Sequence, residues 1–337
     1  MHAQVVPNAL VRRDRLTREA DEERLAPEAT RAANSRGRAR PEEPDAYRTA
    51  FERDRDRILH SKAFRRLKHK TQVFINPDGD HFVTRLTHTL EVTQISRALA
   101  AALSLNETLA EAIALGHDVG HSAFGHTGEE ALAPYFPESG WHHAAQSVRI
   151  FDVLENLNLT WEVRDGIRAH SWKIEPPPAT PEAMTVRYGD RIAYLTHDAI
   201  DALRAGVLEP RDIPDRARER FGEPGRVWID EMINAVIDYS LATGEVQMDP
   251  DTLAVMHELR DFMFERVYLS EGQRMHGDSA VAVIRRLVDY YISHLSELPD
   301  SYRDHDADIT TQVVDHVAGM TDRYALLVHE RLFGLGG

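Results

Sequence analysis

Apolar residues recur every three or four positions along most of the chain after residue 45, and this one pattern removes most folds from consideration. Such a period buries one stripe of a helix, whereas a half-buried strand needs strict alternation. "DAYRTAFERDRDRILHSKAFRRL" sets Phe51, Ile58, Phe64 and Leu67 on helical turns. The same spacing predicts helices over 84–103, 107–117, 141–156, 161–170 and 184–205, and further ones near 224–242, 250–270, 278–297 and 306–333. Only "QVFINPDGDHFV" (72–83) reads as strand–turn–strand, with Pro77, Asp78 and Gly79 as the turn. The expected fold class is all-α with one small β-hairpin.

Three stretches of different character divide the chain. Residues 1–45 are rich in Arg, Glu and Pro and poor in large apolar residues, and read as a charged N-terminal arm. Residues 46–206 form the expected helical core, and 207–337 a C-terminal helical region packed on it. "EPPPATPEA" (175–183) is a proline-rich loop between two of the helices. The absence of cysteine from all 337 residues excludes disulfide frameworks, thiolate metal sites and cysteine nucleophiles. No stretch is apolar for the ~18 residues a membrane span needs, so no membrane contact is expected. "MHAQVVPNALVRRDRL" lacks the apolar core of a secretion signal, which points to a cytoplasmic location. A net charge of −15 argues against a general nucleic-acid coat, although a local basic patch could still take single strands.

Chemistry concentrates in "LGHDVGHSAFGHTGEEAL" (115–132), where His117, His121 and His126 fall within ten residues beside Asp118. Histidine is a mediocre helix former and costs desolvation when buried, so packing alone gives little reason for such a cluster. Upstream, His88 shares a helix face with Arg85, three residues before it. Downstream, "YGDRIAYLTHDAIDALRAG" (188–206) carries Asp190, His197, Asp198 and Asp201 among a buried stripe of Ile192, Leu195, Ile200 and Leu203. The bland alternatives are a singly bonded histidine at 88, a helix cap at Asp118 and a solvated face for Asp201. Taken together, His88, His117, Asp118 and Asp198 offer two imidazoles and two carboxylates without sulfur. That set suits a divalent metal ion (Mn2+, Mg2+, Co2+, Fe2+ or Zn2+) and leaves positions open for water and phosphate.

The order H…HD…D on successive helices resembles the HD-domain metal phosphohydrolase superfamily. "GRARPEEPDAYRTAFERDRDRILHSKAFRRLKHKTQVF", "TRLTHTLEVTQISRAL", "GHDVGHSAFGHTGEEAL", "HHAAQSVRIF" and "RIAYLTHDAIDALRAG" resemble, in that order, one branch of it. That branch is the bacterial deoxynucleoside-triphosphate triphosphohydrolases, and the likeness spans most of residues 10–206. It implies an HD-domain helical fold, and cleavage between the α-phosphate and the 5′-oxygen to give deoxynucleoside and tripolyphosphate. It also implies that His88, His117, Asp118 and Asp198 hold the metal and that His126 and Glu129 form the catalytic pair. His121 and His143 would line the phosphate site, Arg85 would stand near metal and α-phosphate, and Gln72 would contact the sugar. In the branch, an aromatic and an acid follow the last metal aspartate by one and two turns and recognise the sugar. Counted from Asp198 those positions hold Ala202 and Gly206, which depart from the pattern and leave base and sugar selectivity open, with Asp201 or Tyr194 as substitutes.

A basic run, Lys62, Arg65, Arg66, Lys68 and Lys70, would offset a triphosphate or bind single-stranded DNA, as some members do. The branch also implies a homo-oligomer and a second, regulatory deoxynucleotide. Arg260, Arg266 and Tyr268 are further candidates for phosphate or base contact. The competing readings are an HD-type nucleotidase or phosphodiesterase on another nucleotide, and a nucleotide- or strand-binding regulator with a silent site. The intact H…HD…D set and the His126–Glu129 pair favour the triphosphohydrolase.

Overall fold

The computed structural model describes residues 10–72, 83–269, 271–303 and 306–334, with the backbone alone for 271–276. Sixteen α-helices lie among them. In chain order they are α1 (Arg15–Asp21), α2 (Ala50–His60), α3 (Lys62–Arg66), α4 (Arg85–Ala102), α5 (Glu107–Gly116), α6 (Gly125–Leu132), α7 (His143–Arg149) and α8 (Trp161–Ala169). There follow α9 (Pro181–Arg204), α10 (Asp215–Phe221), α11 (Arg226–Thr243), α12 (Pro250–Met263), α13 (Glu271–Ser293), α14 (Asp300–Arg303), α15 (Ile309–Ala318) and α16 (Asp322–Phe333). No strand occurs among the described residues. The hairpin expected over 72–83 lies, except for its two end residues, outside them; an isolated antiparallel bridge joins Thr71 to Thr84 on either side.

Local chemistry explains where the helices start and stop. Thr49 and Glu52 close a capping box at the head of α2, and Ser61 ends α2 while capping α3. Asn106 accepts from Thr108 N and Leu109 N to start α5. Pro181 occupies the first turn of α9, where its missing N–H costs nothing. Three expected long helices are interrupted, that over 250–270 passing from α12 into a π-turn at Phe264–Tyr268. The 306–333 segment breaks after α15, where Thr321 turns outward to cap α16. The 141–156 segment passes from α7 into a π-turn at Ile150–Leu154.

Two apolar cores meet at the site. The larger runs through α4 (Val92, Ile95, Leu99), α5 (Leu109, Ile113) and α9 (Ile192, Leu195), with α4 packed along both α5 and α9. It also takes in Ala29 and Ala32 and continues to Met256, Leu259 and Val267. The smaller core joins Phe124 and Leu132 to Ile284 and Leu287 of α13, Val313 and Val317 of α15, and Val328 of α16. The turn from His117 to Gly125 crosses from one core to the other, so the histidine-rich segment is anchored at both ends. Among the described residues no helix is long and apolar enough to cross a membrane.

Candidate metal centre and active site

Asp118 is the hub. It follows the end of α5 in a turn, not at a helix start, so the cap reading fails. Its Oδ1 lies 3.5 Å from His117 Nε2 and 3.3 Å from His121 Nε2, and its Oδ2 lies 3.9 Å from His88 Nε2. Arg85 Nη1 donates to Oδ2 at 2.6 Å. Burial works against charge on this carboxyl, but His117, His121 and Arg85 overcome it and hold the group well below the usual carboxylate range. His117 is the C-cap of α5, and its Nδ1 donates to Ala114 O at 2.6 Å. A carbonyl only accepts, so Nδ1 carries the proton and Nε2 presents a lone pair. That Nε2 is buried with no hydrogen-bond partner. An orphaned lone pair beside an ionised carboxylate fits a cation, as does the outer carbonyl that fixes the ring.

The fourth member of this group is Asp190, not the expected Asp198. Asp190 Oδ1 lies 3.1 Å from His88 Nε2 and 3.9 Å from His117 Nε2. Against the pull of burial, the bond from His88 lowers its carboxyl to about 2. Asp198, two turns further along α9, instead accepts from Tyr268 OH at 2.6 Å and makes no ion pair with any histidine among the described residues. Burial raises its carboxyl to about 7, with Tyr268 opposing. Ala202 is packed in the core and Gly206 lies beyond the end of α9, so neither touches the site. Asp201 is also buried, accepting from Val83 N at 3.0 Å, which overturns its solvated-face reading.

Glu129 organises the other side. Its Oε1 accepts from His143 Nδ1 at 2.6 Å and from His143 N at 3.0 Å, while Oε2 accepts from His126 Nδ1 at 3.1 Å. Burial opposes its charge, yet His143 and His121 keep it well below its ordinary value. His126 stands at the mouth with its side chain 73% exposed, so one end of the pair is fixed and the other open to a ligand. His121 and His143 are buried and stacked, with centroids 3.8 Å apart. Gln72 is buried, its Oε1 is unpartnered, and its carbonyl receives Arg85 Nη2 at 3.5 Å.

The turn carrying these residues is held under strain. Phe124 and Gly125 have φ of 62° and 58°, and at Phe124 a side chain is forced into the left-handed region. Asp322, at the head of α16, accepts from Phe124 N and Thr71 N, both at 2.9 Å. Lys70 donates to the carbonyls of His121 and Ala318. The expected basic run therefore divides: Lys62, Arg65 and Lys68 are exposed, while Lys70 is buried and braces the turn. His170 was missed from sequence, and is buried with its Nε2 3.9 Å from Asp118 Oδ1. Asp190 was singled out there but not as a ligand, and Tyr268, expected to meet phosphate or base, instead bonds Asp198.

A buried carboxylate ringed by imidazoles in an all-helical frame is what an HD domain builds, and the HD domain family matches residues 85–195. The Phosphohydrolase-associated domain matches residues 246–331. Fold and site thus define an HD-domain phosphohydrolase with a candidate metal centre. Within that class the chain belongs to the deoxyguanosinetriphosphate triphosphohydrolase-like proteins. It is 47% identical to the protein so described from Caldanaerobacter subterraneus subsp. tengcongensis, over 94% of this chain and 95% of that one. A Clostridium perfringens relative of the same description is 44% identical over 86% and 88% of the two chains. One from Desulfatibacillum aliphaticivorans is 44% identical over 92% and 94%.

Proposed function

We propose that the chain cleaves deoxynucleoside triphosphates to deoxynucleoside and tripolyphosphate, with a divalent cation held by His88, His117, Asp118 and Asp190. The carrying observation is the His126–Glu129 pair, one residue exposed and the other half-buried, set beside the Asp118 cluster. When bound, the cation would polarise an α-phosphate oxygen, and Mn2+, Mg2+, Co2+, Fe2+ and Zn2+ all suit the donor set. His126, oriented through Nδ1 by Glu129, has Nε2 free to give a proton to the leaving 5′-oxygen. An alkoxide is a poor leaving group, and a placed acid is worth ~10²–10⁴-fold. Arg85, held by Asp118, and His121 and His143 line the phosphate side.

With Asp190 as the ligand, the positions one and two turns beyond it are Tyr194 and Asp198. These are the aromatic and the acid that the family resemblance requires, so the departure at Ala202 and Gly206 dissolves. Asp198, steadied by Tyr268, then faces the sugar together with Gln72. The test is product analysis with each of the four deoxynucleoside triphosphates, alone and mixed, under Mn2+, Mg2+ or Co2+. Deoxynucleoside with intact tripolyphosphate is expected, and His126→Ala should keep its metal while losing most of the rate. Monophosphate with pyrophosphate would overturn the reading.

A further inference from the structure

Arg187 and Arg191 lie one turn apart on α9, and both are buried, 5% and 7% exposed. Among the described residues neither makes an ion pair or donates a side-chain hydrogen bond, and both Nε atoms are buried without a partner. Arginine is almost never buried unpaired, because taking an uncompensated charge out of water is costly.

What the two guanidiniums have instead is an aromatic rack. The guanidinium carbon of Arg191 lies 4.5 Å from the centre of the Trp172 ring, and that of Arg187 5.2 Å. Trp172 is itself pinned to α9, its Nε1 donating to Arg187 O at 2.9 Å. Tyr188 and His257 meet the indole edge-on, with centroids at 5.2 and 5.8 Å. An indole face attracts and orients a guanidinium but brings no negative charge, so the rack presets both groups and neutralises neither.

Their place on the helix shows what would neutralise them. Arg187, Arg191, Tyr194 and Asp198 recur at steps of four, three and four, which puts them on one face of α9 with Asp190. In the function proposed above, Asp198 faces the sugar and Asp190 holds the ion at the α-phosphate. Asp198 lies about 12 Å along the axis from Asp190, and Arg187 about 4.5 Å beyond it on the opposite side. The phosphate tail, running away from the sugar, is thus led along α9 toward the two arginines.

We propose that Arg187 and Arg191, racked on Trp172, hold the terminal phosphate of the substrate's tail, so that the site selects three phosphates over one or two. A guanidinium fork matches phosphate oxygens two at a time. The tripolyphosphate product carries the same end and binds there as well. The inference rests on the function proposed above for the direction of the tail, and not for the arginines' want of an anion. An arginine held for a ligand burdens the ligand-free fold, so methionine at 187 should not lower stability; an arginine held for packing would show the opposite.

The full-length protein as purified, without added metal, is titrated by calorimetry with inorganic tripolyphosphate, pyrophosphate and orthophosphate, and its melting temperature is recorded. Tripolyphosphate should bind about tenfold or more tighter than pyrophosphate, and Arg187→Met should lose most of that preference. Arg187→Met should nonetheless melt no lower than wild type when no phosphate is present. Arg187→Lys, which keeps the charge without the fork, should recover only part of the affinity. No preference for tripolyphosphate in the wild type, or the full preference in Arg187→Met, overturns the proposal. So does an Arg187→Met that fails to fold or melts well below wild type, since that is how a structural arginine behaves. The expected binding in a protein that cuts no deoxynucleoside triphosphate would overturn the proposed function and leave the arginine site standing.

Discussion

Lys70→Met makes a quantitative test of how the histidine turn is braced. Burial, reinforced by Arg66, pushes the Lys70 ammonium from 10.5 down to about 7. A neutral amine has two N–H donors, which suits the two carbonyls it meets, those of His121 and Ala318. Between pH 7 and 10.5 the unfolded chain holds a proton on this lysine that the folded chain does not. Stability must therefore rise with pH across that window, by about 1.4 kcal/mol per unit where the difference is complete. From pH 7.5 to 9.5 the contribution integrates to about 2.5 kcal/mol, because the folded amine is still partly protonated at the lower end. Methionine keeps the length but removes the titration. It also strips both carbonyls of their donor, so stability at pH 9.5 should fall by about 2 kcal/mol or more. Urea unfolding of both proteins at the two pH values reads out the difference, and other titrating groups cancel between them. Parallel pH dependences in wild type and Lys70→Met would refute the buried neutral amine.

Gly120→Ala would place a Cβ 2.3 Å from both His143 O and Ser147 N, backbone atoms of α7 that cannot swing aside. The expected loss is about 3 kcal/mol by urea melt, with reduced turnover because α7 carries His143; a variant as stable as wild type would contradict this packing. Asp322→Ala leaves two amides without their carboxylate and releases the strained Phe124 turn. Stability should fall by about 3 kcal/mol and turnover with it, while Asp322→Asn, which keeps one acceptor, should recover part of both.

The helical order and the His117–Asp118 hub were legible because each is written in contiguous sequence. The fourth member of the hub was not. Asp190 and Asp198 lie two turns apart on one helix, and spacing alone cannot say which turn of α9 meets α4 and α5. His170 stands alone, 52 residues from Asp118, and only the end of α8 brings it in. One signal was available: "ALGH" and "IRAH" both place a histidine just past an amphipathic helix, where Nδ1 can turn back to a carbonyl. Lys70 was misjudged because a basic run says nothing about which of its members faces inward. The long 306–333 helix failed at "GMT", where glycine and a capping threonine outweigh the apolar period.

The most direct test of the account is the Mn2+ affinity of Asp190→Asn against that of Asp198→Asn, measured by calorimetry on chelator-stripped protein. Asp190→Asn should weaken binding at the His88–His117 group by about tenfold or more, while Asp198→Asn should change it by less than about threefold. The reverse order would return Asp198 to the ligand set and contradict the centre described above.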